Sequence, residues 1–513
     1  MQRLSLSRKL ILSLAPSLVI LWVARNLSVR YKRRNEIQRR YGPRYAVSEK
    51  EETPERRRMI NAGYTGVRDA QRITNHLVAL EAPFISFTAL EFALFKTYGI
   101  PTISSLLSHT GQLGKPENAS RRFVDTSALI SAQMMFPAPR LDLEGEDTPE
   151  PDDDLFSKGG ADADPRAAIA VSRMNYLHGR WKGKISRDDL LYTLSLFMVE
   201  VPKWVDQFEW RQTTDLEKEA LFTVWYHIGR CMGIADIPRT IPDLTKWVED
   251  YESKHMVYAE SNRVVAQYTI SLLLQMAPKA LHPALTKVIV ALLEDRLRLA
   301  FNYDPSPRWL CALVPALLKA RAAFIKYFLP PRYTPKAFCP TDAQARFVLD
   351  GVRGQVCPAV RLSAEDAAEK GKSCPVSAKR NASDTDPSLR EYDVIEELPR
   401  MEPGWVENDP WYSIPATPLS PTWFYEKLFV KPEDRLGAAR WQNSRFRSKV
   451  GNLAGFRLEE MGPKGMEISG REEVLKEAIR LNGGRPLVGP WAFKAKLEGS
   501  RAVEDSATVA PST

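Results

Sequence analysis

The chain has 513 residues, 44% hydrophobic and 26% charged, with a net charge of +9. This is the balance of an ordinary globular protein with room for a large core. With no nucleic-acid motif and no aromatic-interleaved basic repeat, the positive charge implies no nucleic-acid partner. Five cysteines, an odd number without CxxC spacing, exclude a disulfide framework and a cysteine zinc site, and fit a reducing compartment.

After a short tail (1–9) comes an apolar run, Leu10–Ala24, broken by Pro16. A spanning helix wants about 20 residues, so the run is marginal unless Arg25 snorkels and the segment extends over 10–29. Arg30, Lys32, Arg33, Arg34, Arg39 and Arg40 outnumber the upstream Arg3, Arg8 and Lys9, and no clear small-x-small cleavage site intervenes. The positive-inside rule then predicts a single-pass anchor, with the body in the cytosol behind a basic juxtamembrane segment (30–68). A cleaved signal is the alternative, and the Asn-x-Ser triplets at Asn26, Asn118 and Asn381 would suit a lumenal chain.

Residues 69–340 read as an all-α body, since no strand-like alternation interrupts the helical spacing of 69–330. Leu80–Tyr98 is rich in Phe and Leu and stops at Gly99-Ile100-Pro101. The acidic, Pro- and Gly-bearing stretch 142–165 reads as a disordered insertion. A helix over Arg166–Trp181, a polar turn and a second helix from Ser186 follow, with Asp189 three residues on completing a box-like start. Within the first of these helices Arg173 and His178 are about 140° apart at 100° per residue. They could flank a flat ligand but could not bind one small atom together. A buried arginine needs a partner, commonly a carboxylate or phosphate, and a half-buried histidine is a possible metal ligand. A core histidine beside a solvated arginine is the plain alternative.

Further helices are predicted over Leu190–Phe208, Thr213–Met232 (with a Thr214/Glu217 capping box and Gly233 as its stop), Pro242–Glu252, Val264–Met276, Pro283–Ala300 and Trp309–Phe328. Residues 341–400 read as a disordered linker. The extension 401–498 carries an aromatic, proline-broken run (410–430) that would clamp across the core or sit at a membrane interface, and an amphipathic helix over 472–482. Residues 499–513 read as a disordered tail.

No P-loop, GxGxxG, HExxH or GxSxG is present. The six histidines include no pair at helical spacing, so a dinuclear bundle site is unsupported; a single histidine suffices for a haem iron. His282, before Pro283, is either a cap, a core residue or such a ligand. His227, beside Trp225 and Tyr226, reads as core.

FALFKTYGIPTIS (92–104), GQLGKPE (111–117), RFVDTSALI (122–130), RMNYLH (173–178), DLLYTLSLF (189–197), FEWR (208–211), LHP (281–283) and DRLRLAFNYDPSPRW (295–309) occur in that order. With Pro421–Phe429 and GFRLEEMGPKG (455–465), they resemble the fungal MpaB-type oxygenases, ER-bound relatives of the rubber oxygenase (latex-clearing protein) catalytic domain. The resemblance implies an all-α, globin-like body with an N-terminal anchor and haem b. It also implies cleavage by dioxygen of a C=C bond in the prenyl chain of a lipophilic substrate, by a monomer at the endoplasmic reticulum membrane. In the bacterial relatives the proximal histidine falls near Leu194, where this chain has none. His178 and His282 are the histidines that match fungal motifs, and are the expected iron ligands. Arg173 would pair with a haem propionate or hold a distal water or peroxide, and Phe and Leu side chains of 84–95 would line a substrate channel. The competing reading is a tethered helical binding module that has lost the haem.

Overall fold

The computed structural model describes residues 2–336 except 112, 114–115, 142, 144–163 and 275–276. It also describes 339, 346–349, 352–355, 400–401 and, with short gaps, 457–487. Of residues 2–15, 114–121, 346–355 and 400–401 no side chain is described. The insertion (144–163), most of the linker, the aromatic run 410–430 and the tail lie outside the described residues.

The body is all-α. One long helix, α1 (Gln2–Tyr41), leads in; its far end is part of the core, with Tyr41 and Tyr45 buried. Helix α2 (Gly63–Asn75) runs into a π-turn (His76–Glu81), and α3 (Pro83–Thr97) starts on Pro83 at its first turn, where a missing N–H costs nothing. The predicted helix over 80–98 is therefore split at Ala82–Pro83. Next come α4 (Pro101–His109), α5 (Pro116–Met135), α6 (Arg166–Gly179) and α7 (Arg187–Phe208). They are followed by α8 (Asp215–Cys231), α9 (Ile241–His255) and α10 (Glu260–Leu273).

The predicted helix over 283–300 is two: α11 (His282–Val290) and α12 (Asp295–Ala300), and α13 (Arg308–Tyr327) follows. After a small antiparallel sheet, β1 (Arg346–Leu349) between β2 (Val352–Gln355) and β3 (Arg400–Met401), the last described helix is α14 (Arg471–Leu481).

Two starts are built as the residue types predict. Ser186 Oγ accepts the Asp189 N–H, and Thr214 and Glu217 form a reciprocal capping box. The centre of the bundle is α3 against α7 and α2 against α8, with α7 touching α8. Aromatic pairs fill it, including Phe92–Trp204 (4.6 Å between centroids) and Phe197–Trp225 (4.6 Å). The side chains of 84–95 divide: Ile85, Ala89, Ala93 and Phe95 are buried in this core, whereas Phe84 is exposed. Among the described residues no single helix is long and apolar enough to cross a membrane. The one bent pair that passes by composition, Gly63–Glu81 with Pro83–Thr97, turns through 107°.

Candidate functional site at the junction of α5, α6 and the C-terminal segment

Three of the quoted motifs, distant in sequence, meet at α6. Its first eight residues, Arg166 to Arg173, are all buried. On one side lies α5; on the other lie α14 and the 3-10 turn Leu458–Glu460.

Arg173 is fully buried, and its guanidinium donates to three backbone carbonyls: Nε to Met461 (2.6 Å), Nη1 to Ser469 (2.7 Å) and Nη2 to Met466 (2.8 Å). The partners are thus main-chain oxygens, in place of the carboxylate or phosphate that burial of an arginine suggests. Asp125 of α5 accepts the Gly462 N–H at 2.9 Å from the other side. Tyr176 Oη shares a hydrogen bond with Ser469 Oγ (2.7 Å).

The approach of the segment to α6 is close enough to exclude a side chain. A Cβ on Gly470, whose φ is +69°, would lie 2.1 Å from the Tyr176 ring, and one on Gly462 (φ +132°) would lie 2.9 Å from Leu177. Both glycines also hold backbone conformations that disfavour L side chains.

His178 lies one and a half turns beyond Arg173. The ring is half-buried; its Nδ1 is buried and has no hydrogen-bond partner among the described residues. Burial, with a smaller push from the Arg122 charge, lowers its pKa to about 4, so the imidazole is neutral at physiological pH. A buried polar atom left unpaired is a cost, and a neutral ring keeps a lone pair that could accept a partner there. His227, read from sequence as core, is core: its Nε2 bonds to the Pro139 carbonyl at 2.6 Å. His282 stands at the start of α11, half-buried, with Nε2 on the Ala277 carbonyl at 3.0 Å. Helix α11 packs on α10 and α13 while α6 packs on α5 and α14, so the two expected ligands belong to different parts of the bundle. Leu194, at the bacterial ligand position, is buried in the core with its side chain against Gly229. Among the described residues no group of three or more His, Cys, Asp or Glu could hold a bare metal ion.

The neutral state of His178 makes a testable statement about the protein free of cofactor. Its folded pKa is below its unfolded one, so the unfolded chain binds the extra proton between about pH 6.5 and 4. Stability therefore rises with pH across that window and is lost as pH falls through it. His178→Phe is expected to flatten this acid limb in urea titrations at stepped pH. An unchanged limb means that the ring is solvated.

Residues 158–325 match the family model described as "ER-bound oxygenase mpaB/B'/Rubber oxygenase, catalytic domain". An "ER-bound oxygenase mpaB'" of Penicillium brevicompactum is 35% identical over 320 residues, 60% of this chain and 67% of the relative. An "ER-bound oxygenase mpaB" of Penicillium roqueforti is 35% identical over 46% of this chain and 76% of the relative. Another, from Penicillium brevicompactum, is 33% identical over 55% and 66%. The matched region contains α6 with Arg173 and His178, and the chain belongs to the ER-bound oxygenase mpaB/rubber oxygenase family: it is an oxygenase.

Proposed function

We propose that this oxygenase is haem-dependent and cleaves a C=C bond in the prenyl chain of a lipophilic substrate with dioxygen. The observation that carries this reading is His178: a half-buried, neutral imidazole whose buried Nδ1 has no hydrogen-bond partner among the described residues, on the helix where the family motif runs. Such a ring would serve to hold the iron of a haem b. The haem, when bound, supplies the activation of dioxygen; the protein supplies orientation and exclusion of water.

Arg173 takes a positioning part in this reading. With three N–H groups on Met461, Met466 and Ser469, it fastens the C-terminal segment along α6, on a face of the helix about 140° from His178. His282 is the second candidate ligand; its Nε2 on a carbonyl would leave Nδ1 as the coordinating atom, a pattern common in metal-bound histidine. The membrane reading belongs to the same proposal. The apolar start of α1 enters the endoplasmic reticulum bilayer as a single-pass anchor, the body is cytosolic and monomeric, and the substrate arrives from the lipid.

An absorbance spectrum of the full chain, purified in detergent from haem-supplemented cells, tests the reading. A Soret band that shifts with dithionite and carbon monoxide is expected, and His178→Ala should abolish or displace it. A band kept by His178→Ala and lost by His282→Ala moves the iron to α11. A folded helical protein with no band sinks the haem mechanism and leaves the prenyl-cleavage reading without a group to activate dioxygen.

A further inference from the structure

We propose that α13 lies flat on the bilayer surface beside the entry point of α1, as a second, in-plane membrane contact. The proposal rests on the anchor reading of α1 and is independent of the haem.

Helix α13 has three distinct faces. Leu310, Val314 and Ala322 are buried against the bundle. Trp309, Leu313, Leu317 and Phe324 are exposed, by 65%, 42%, 59% and 54% of their surfaces. At about 100° per residue these four fall within a stripe roughly 80° wide. Arg308, Lys319 and Lys326 form a basic line on the flank of that stripe away from the core, and the helix holds no acidic residue. Large apolar groups on one strip with lysine and arginine beside them are the pattern of a helix lying at a lipid–water interface. A protein partner would need the basic flank matched by carboxylates; anionic headgroups match it without geometry.

The position of α13 makes the bilayer the occupant. Its C-terminal end is fastened to α1: Trp22 Nε1 donates to the Phe328 carbonyl (2.8 Å), and Arg30 Nη2 donates to those of Ile325 and Leu329 (2.9 Å each). Leu18, Val19, Ile20 and Leu21 just upstream are themselves 50–67% exposed. If that part of α1 is in hydrocarbon, the membrane surface passes at the level of Trp22 to Arg30. Phe324, Phe328 and Leu329 are held at that level by the three hydrogen bonds. Phe84, under the Arg321 guanidinium (4.4 Å) and half-exposed, extends the apolar surface from α13 to the start of α3.

The test uses the full chain reconstituted into phosphatidylcholine–phosphatidylserine vesicles. Cys311, Cys357 and Cys374 are replaced by serine, and an environment-sensitive fluorophore is placed in turn at Leu317→Cys, Val19→Cys and Lys246→Cys. Circular dichroism verifies each fold. Quenching of the Leu317 label by lipids carrying a nitroxide near the headgroup, with protection from aqueous iodide, is expected. The Lys246 label on α9 should behave oppositely. A Val19 label quenched by lipid beside a Leu317 label open to iodide overturns the proposal and keeps the anchor; both open to iodide overturns both. Protection of Leu317 from both quenchers, in vesicles and detergent alike, means that protein covers the face, and also overturns it.

Discussion

Arg173→Ala is expected to destabilise the protein by about 3 kcal/mol and to free residues 457–487 from α6 while the rest of the bundle stays folded. The reason is the number of partners. Three backbone carbonyls, of Met461, Met466 and Ser469, lose a charge-assisted donor at once. Each buried acceptor left unpaired costs about 1–3 kcal/mol, less whatever water recovers. Arg173→Lys keeps the charge but presents one compact donor group where a planar fork reaches three directions, so it should recover only part of the loss. Hydrogen exchange and limited proteolysis read the local effect, and the urea midpoint reads the global one. Gly470→Ala, whose methyl would meet the Tyr176 ring, should release the same segment through sterics alone. If Arg173→Ala left the exchange protection of 457–487 intact, the segment would be held by its apolar contacts and the arginine would be free for another duty.

That dependence could not be read from the sequence, although the arginine could. Helical spacing leaves position 173 open between a buried and a solvated arginine, and chemistry says that a buried guanidinium needs oxygen partners. Which oxygens is a question about chain segments 288–296 residues away, and no local pattern encodes it. The same limit explains the other differences. Starts written in adjacent residues, Ser186 with Asp189 and Thr214 with Glu217, are legible because a cap is made within one turn. The break between α11 and α12 is not, because Ala291-Leu292-Leu293-Glu294 has no proline or glycine to announce it. For the candidate site, the family resemblance pointed to His178 and His282, while the Nδ1 of His178 that has no partner among the described residues appears only in the packed structure.

Lys96 is the clearest residue that sequence reading passes over. At the end of a Phe- and Leu-rich helix it looks like a solvated terminal cation, yet it is 7% exposed. Its Nζ sits 3.2 Å from Glu200, 2.9 Å from Glu252 and 3.1 Å from Glu294, so one ammonium ties α3 to α7, α9 and the residue that precedes α12. Tyr192 adds a hydrogen bond to Glu252 (3.0 Å). Lys96→Met retains the apolar stem and removes the charge. The expected cost at neutral pH is about 3–5 kcal/mol, the range for removing one partner of a buried ion pair, because Glu200 and Glu252 are left buried together.

The pH dependence separates this from a packing defect. In the wild type, burial pushes the Glu294 carboxyl up, but the Lys96 and Lys203 charges outweigh it and hold it at about 2. A depressed carboxylate stabilises the fold above its ordinary pKa near 4.5, and that stability is lost as pH falls toward 2. Without the Lys96 ammonium the Glu294 carboxyl keeps only Lys203 beside it, so its folded pKa moves back up toward the ordinary value. The folded variant then takes up its proton at a higher pH than the folded wild type, and acidification costs it less. The stability gap between Lys96→Met and wild type should therefore narrow as pH falls from about 4.5 toward 2 in urea titrations. A gap that stays constant over that range would mean that the loss is one of shape.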